Sequence, residues 1–366
     1  MAELLIQNNE DGREIALVEN GKLLEYYKEN EHKNRKEGNI YIGIIKDVLK
    51  GMQSAFVDIG TEKNGFIHKK DLLPKIDETK ESNDEIENMD ITEIVKKGQK
   101  VLVQIKKDSN QKKGARVSTH INLPSKYIAL LPNTNIITVS QKIEDEKERE
   151  RLIKLVKENL SEGNGAIIRT SSEGKEKEII EDIKYIENKW NSIIQTSVNP
   201  NLKKAKLLYK SEGIVEKMLI DLTNQKIDII EGDEIFEKYD IKKQIEKIEN
   251  RKIWLKCGGF ITIDKTEALT AIDVNTGKYT GKNDLNETIL KVNIEATKVI
   301  AEQLRLRDIG GIIIIDYIDM KNKEDKTMIE NLLKQALKKD RAKTQVEGFT
   351  KLDLIEMTRK HICSNN

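Results

Sequence analysis

Two apolar runs, each closing on an aspartate and separated by a long amphipathic helix, constrain this chain more than any other feature. ALTAI leads into Asp273, and the run Ile312–Ile315 leads into Asp316. Between them, LNETILKVNIEATKVIAEQLRLRD repeats its apolar residues at helical spacing and stops at Gly310–Gly311. MIENLLKQALKKD is a second amphipathic helix further on. Alternating strands and helices make the last hundred or so residues an α/β layer. The unbroken isoleucine run reads as a strand buried on both faces.

If the two strands are neighbours, Asp273 and Asp316 project from one end of the sheet, where open α/β sheets bind ligands. Two adjacent carboxylates repel and raise each other's pKa. A divalent cation relieves that repulsion. Hard oxygen ligands suit magnesium, which keeps several waters and accepts one or two protein carboxylates. A metal-bound water can attack a phosphodiester. Asn275 lies two residues beyond Asp273, on the same strand face, where its amide can orient the carboxylate. Asp319 is the weaker ligand candidate. On spacing alone the plainer alternative stays open: both acids could be caps or strand-end residues in ordinary turns.

The first half of the chain is different. Leu4–Ile6, Ile15–Val18 and the turn residues between them predict a small β-meander or hairpin. GNIYIGIIKDVL, SAFVDIG, NGFIHKKDLL and KVLVQIKKD predict the short strands of an antiparallel barrel. The polar stretch 75–90 reads as a solvated loop or frayed helix. From about residue 121 an α+β unit begins. Leu152, Leu155, Val156 and Leu160 share one helix face; Ile179, Ile183, Ile186, Trp190 and Ile193 share another. Asn199–Pro200 marks its exit.

Composition narrows the function. Lys+Arg is 64 and Asp+Glu 63, a formal net charge of +1, so any RNA affinity must come from charge sorted by face. Two cysteines, Cys257 and Cys363, are too few for a disulfide framework and suggest a cytoplasmic protein. Cys257 reads as core. No signal peptide or transmembrane run is expected. A histidine-dependent reaction has only His32, His68, His120 and His361 to draw on, none within the α/β motifs. No P-loop motif occurs.

The stretch ITIDKTEALTAIDVNTGKYTG, followed by NIEATKVIAEQLRLRDIGGIIIIDYIDM, resembles the nuclease core of the RNase E/G family. The resemblance runs from about residue 1 to 360. It implies a multidomain α+β fold: an RNase-H-like subdomain in two parts, 1–37 and 200–248, with an OB-fold (S1-type) RNA-binding barrel, 38–120, and a 5′-sensor, 121–199, inserted between them. A DNase-I-like α/β catalytic subdomain, 249–366, completes the chain. It also implies a magnesium-dependent endoribonuclease that hydrolyses single-stranded RNA to 5′-phosphate and 3′-hydroxyl ends. In that pattern Asp273 and Asp316 hold Mg2+ and Asn275 assists.

The barrel's Phe56 and Phe66 offer unpaired bases a stacking surface; read from the strands alone, a phenylalanine on a strand is more often core. The resemblance makes both RNA contacts, together with Lys113 of KKGARVS. It also makes Arg169 and Thr170 of GNGAIIRTSSEG the sensor of an RNA 5′-monophosphate, a ligand suited to arginine's fork of donors. Two departures bear on that sensor. Gln141 stands in TVSQKIE where relatives of the larger enzyme carry arginine, which looks more like the shorter RNase G branch. Lys343 in DRAKTQ keeps a charge but cannot bind in a bidentate way. The sequence ends at EMTRKHICSNN, before the family's zinc-sharing linker and small domain, so no zinc and a monomer or weak homodimer are expected. The competing reading is a catalytically weak RNA-binding protein that lost its activity with that C-terminal dimerisation region.

Overall fold

The computed structural model describes residues 2–10, 12–30, 36–72, 89–109, 113–199, 203–277 and 285–363. The stretch read as a solvated loop, 75–90, falls almost wholly outside them, as does His32. The chain forms two compact units. One combines residues 1–33 with 225–366; the other is 34–224.

In the first unit, three strands, Ala2–Asn9, Gly12–Glu19 and Lys22–Asn30, form a meander rather than a single hairpin. Asn20 and Gly21 both take positive φ in its second turn (φ 50° and 76°), the conformation a two-residue hairpin loop demands. A distant strand, Ile227–Glu231, pairs parallel with Ala2–Asn9, Ala2 opposite Ile227. The start of the chain and residues near 230 therefore share one sheet.

The unit's second sheet has six strands in the order Lys252–Trp254, Phe260–Lys265, Leu269–Asn275, Gly311–Asp316, Leu354–Arg359 and Thr344–Phe349. Helices Leu285–Leu306 and Lys323–Leu337 share one core with it. Ile261, Ile263, Ile272, Val274, Ile313, Ile315, Ile355 and Met357 meet Val292, Ala296, Ile300, Leu304, Ile329 and Leu333 there. This corrects the reading of a strand buried on both faces. Ile313 and Ile315 are buried, but Ile312 is 51% exposed and Ile314 half-buried. Antiparallel partners let one face of a sheet stay open, and four of the five strand pairings in this sheet are antiparallel.

The second unit holds a barrel and an α+β layer. Ile40–Leu49, Ser54–Asp58, Gly65–His68, Arg116–Ser118 and Lys100–Lys107 pair in that order, and Lys100–Lys107 pairs back onto Ile40–Leu49 to close the ring. Ile45, Val57, Ile59, Ile67, Val103, Ile105 and Val117 fill it. Lys206–Tyr209 adds to the outside of Ile40–Leu49. The α+β layer is a four-stranded sheet packed by helices Glu146–Asn159 and Lys177–Ser197. Ile179, Ile183, Ile186, Trp190 and Ile193 are all buried against it, as helical spacing predicts. Leu152 and Val156 are buried too, while Leu155 and Leu160 are half-buried. Among the described residues no helix is long and apolar enough to cross a membrane.

Candidate active site

The helix Leu285–Leu306 carries the chain from strand Leu269–Asn275 to strand Gly311–Asp316, and the two strands pair in parallel. Their register sets Asp273 directly opposite Asp316. Strand partners point to the same face about 4.8 Å apart, and both carboxylates are exposed on the sheet's open face. Asn275, on that face too, donates its Nδ2 hydrogen to Oδ2 of Asp273 at 2.6 Å.

This crowding of acids sets the electrostatics. The Asp316 carboxyl is pushed above its ordinary pKa, first by partial loss of solvent, then by the negative charges of Asp273 and Asp319. Asp319, the weaker candidate in the sequence, thus adds to the field at the pair. Acids crowded in this way favour a bound cation. Among the described residues no group of three or more His, Cys, Asp or Glu is arranged to hold a metal ion by itself. A metal fitting this donor set takes carboxylate oxygens and fills its remaining positions with water, the habit of magnesium rather than of structural zinc.

The crossover helix holds the backbone just beyond Asp316. Asn293 is fully buried. Its Nδ2 donates to the Ile318 carbonyl at 2.8 Å, and its Oδ1 accepts from the Ile318 N–H at 3.2 Å. One turn on, the Thr297 hydroxyl meets the buried Tyr317 hydroxyl at 2.9 Å. Motif and spacing did not single out these positioning residues. Their signal is polar residues, four apart, on the apolar face of a helix.

Cys257 packs half-buried against the core of this sheet, from the turn joining two strands rather than from a strand, and Glu295 Oε2 accepts from its backbone N–H at 3.0 Å.

On the barrel, Phe56 and Phe66 sit opposite each other on neighbouring strands. Their rings meet edge to face, 6.1 Å between centroids. Alternate residues Ala55, Val57 and Ile67 point inward, so the rings lie on the outer face; Phe56 is 37% exposed and Phe66 half-buried. Neither is core. Exposed Lys113 begins the segment that runs against this edge: Phe66 N–H donates to the Ala115 carbonyl at 2.7 Å. A Cβ on Gly114 would stand 1.9 Å from the Asn64 carbonyl oxygen, so only glycine permits that approach. His68 caps a short 3-10 turn, its Nδ1 accepting from the Lys70 N–H.

In the α+β layer, Arg169 and Thr170 come directly after strand Asn164–Ile168. Arg169 N–H donates to the Tyr127 carbonyl at 2.9 Å, and Ser172 Oγ donates to the same oxygen at 2.6 Å. Buried Asp182 accepts from the N–H groups of Tyr127 and Ile128, tying down the facing loop. Thr170 is exposed. The Arg169 guanidinium is ion-paired with Asp221, a partner invisible in the local motif.

A closed small barrel and a sheet with two acids paired on its central strands define a multidomain α+β protein, and comparison with known proteins makes this specific. Residues 35–120 match the S1 RNA binding domain, and residues 122–234 and 223–362 match the Ribonuclease E/G family. The chain belongs to the Ribonuclease E/G family. It is 39% identical to Ribonuclease G of Escherichia coli strain K12, over 98% of this chain and 80% of that protein. Identity to Ribonuclease G of Haemophilus influenzae is 38%, over 98% and 79%. With Ribonuclease E of Escherichia coli it is 32%, over 95% of this chain and 36% of that protein. Similarity thus places the chain on the RNase G branch.

Proposed function

We propose that the open face of the six-stranded sheet is where this protein cuts RNA, with Asp273 and Asp316 as the working carboxylates. Its family membership makes the chain an endoribonuclease acting on single-stranded RNA. The observation that carries the site assignment is the register of Asp273 against Asp316 on exposed, parallel strands.

Asp273 and Asp316 would hold Mg2+. When bound, that ion supplies an activated water and stabilises charge on the phosphate, giving 5′-phosphate and 3′-hydroxyl products. The protein's own contribution is placement. Asn275 fixes the Asp273 carboxylate through its 2.6 Å hydrogen bond. Asn293 and Thr297 anchor the backbone just beyond Asp316. Phe56, Phe66 and Lys113 bind unpaired RNA by stacking and charge. Arg169 and Thr170 receive a 5′-monophosphate, for which Asp221 must release the guanidinium.

The finer architecture belongs to the same proposal. The meander of 1–37 with a second part at 200–248 is read as RNase-H-like, 38–120 as the barrel, 121–199 as the 5′-sensor and 249–366 as DNase-I-like. A cytoplasmic enzyme completes it. The test is cleavage of a 5′-monophosphorylated, A/U-rich single strand with magnesium, then with the ion chelated. Cutting should stop on chelation and return when magnesium is restored; cutting that persists without divalent metal would remove the acid pair's role.

A further inference from the structure

The open face of the catalytic sheet carries a second cluster that the acid pair does not use. Trp254 is 60% exposed, whereas the chain's other tryptophan, Trp190, is 5% exposed. Trp254 stands opposite Phe260, and Phe260 opposite Asn275. One step along the sheet, Lys252 stands opposite Thr262, Thr262 opposite Asp273, and Asp273 opposite Asp316. Ile253, Ile261 and Val274, the alternate residues, face the core instead. Trp254, Phe260 and Lys252 therefore share the face of the carboxylates. Strand spacing puts Phe260 about 5 Å and Trp254 about 10 Å from Asn275.

The cluster has the build of a nucleotide contact. The indole and phenyl rings meet edge to face, 5.4 Å between centroids. The Lys252 Nζ lies 4.1 Å from the Trp254 ring centre and 3.5 Å from that of Phe260. Exposed Arg251 and Lys256 flank it in the chain, and Arg251 pairs with Asp264 of the neighbouring strand. A contact made for a second protein copy would favour a ring depleted of charge. An exposed ring amid cations instead suits a base with its phosphate.

We propose that Trp254 and Phe260, with Lys252 beside them, form a base-stacking subsite that holds an unpaired RNA base flanking the scissile phosphate. This rests on the assignment of the cut to Asp273 and Asp316. Stacking on an aromatic face tolerates any base, so the subsite fixes the strand's position near the acids without choosing a sequence. Trp254 is a positioning residue, separate from the Phe56–Phe66 pair of the barrel.

The test uses the full chain bearing Asp273→Asn, expected to bind without cutting, titrated with single-stranded oligoadenylate while tryptophan fluorescence is monitored. Quenching is expected, and it should vanish with Trp254→Phe while affinity is largely kept. Trp254→Ala should weaken binding by about 5-fold to 100-fold, the range expected for one stacked base. In the cutting enzyme the same change should raise KM more than it lowers kcat. No quenching, or unchanged affinity in Trp254→Ala, overturns the subsite while leaving the acid-pair assignment intact. A change in oligomeric state or melting without a change in RNA affinity overturns it equally. Failure of the unsubstituted chain to cut RNA overturns both readings.

Discussion

Asn293 grips the backbone of Ile318 from both sides, donating to its carbonyl and accepting from its N–H. Because Ile318 lies two residues past Asp316, a buried helix side chain fixes where a carboxylate leaves the sheet. Asn293→Ala would strand two backbone groups in a dry setting. We expect a loss of about 2–3 kcal/mol in stability, read by urea unfolding, and a fall in kcat larger than any rise in KM. A variant with unaltered kcat would show that Asp316 does not depend on this anchor.

Glu25 has no exposed surface and meets Arg305 and Arg341. Burial alone would raise its pKa, but Arg341 and then Arg305 outweigh burial and bring it down to about 2. The unfolded chain titrates near the ordinary glutamate value. A lowered folded pKa gives stability that is complete above the unfolded value and drains as pH falls through the folded one. Melting temperature should therefore drop steadily between about pH 4.5 and pH 2. Glu25→Gln, leaving two buried arginines underpaired, should cost about 3–5 kcal/mol at neutral pH. A flat acid limb in the melting curve would contradict this.

Asp221 competes with an incoming phosphate for Arg169. Asp221→Asn should strengthen the preference for 5′-monophosphate over 5′-hydroxyl RNA, whereas Arg169→Gln should erase it. Comparing kcat/KM on the two substrates decides the matter. An unchanged preference in Arg169→Gln takes that residue out of the sensor.

Phe56 on the barrel's outer face carries little of the core. Phe56→Ala should weaken RNA binding by about 1–3 kcal/mol with little effect on melting. A large loss of stability would return Phe56 to a structural role.

What the sequence disclosed, and what it hid, divides along physical lines. Helical spacing disclosed the buried set from Ile179 to Ile193, because a helical period marks a face. The acid pair follows from the sequence only if its strands are neighbours, and the register of Asp273 against Asp316 meets that condition. Ile312–Ile315 misled because an unbroken apolar run carries no face information; helices cover one side only. Contacts such as Glu25 with Arg341 and Arg169 with Asp221 join residues far apart in the chain, and no local pattern marks them. Trp254 shows its exposure only once Phe260 and Asn275 are set beside it.

The most direct measurement is a paired assay of cleavage and binding on a 5′-monophosphorylated single strand with magnesium present. Asp273→Asn and Asp316→Asn should each reduce cleavage by several orders of magnitude, while RNA affinity and folding stay near those of the unsubstituted protein. Cleavage that survives in either variant would contradict a catalytic site built on these two carboxylates.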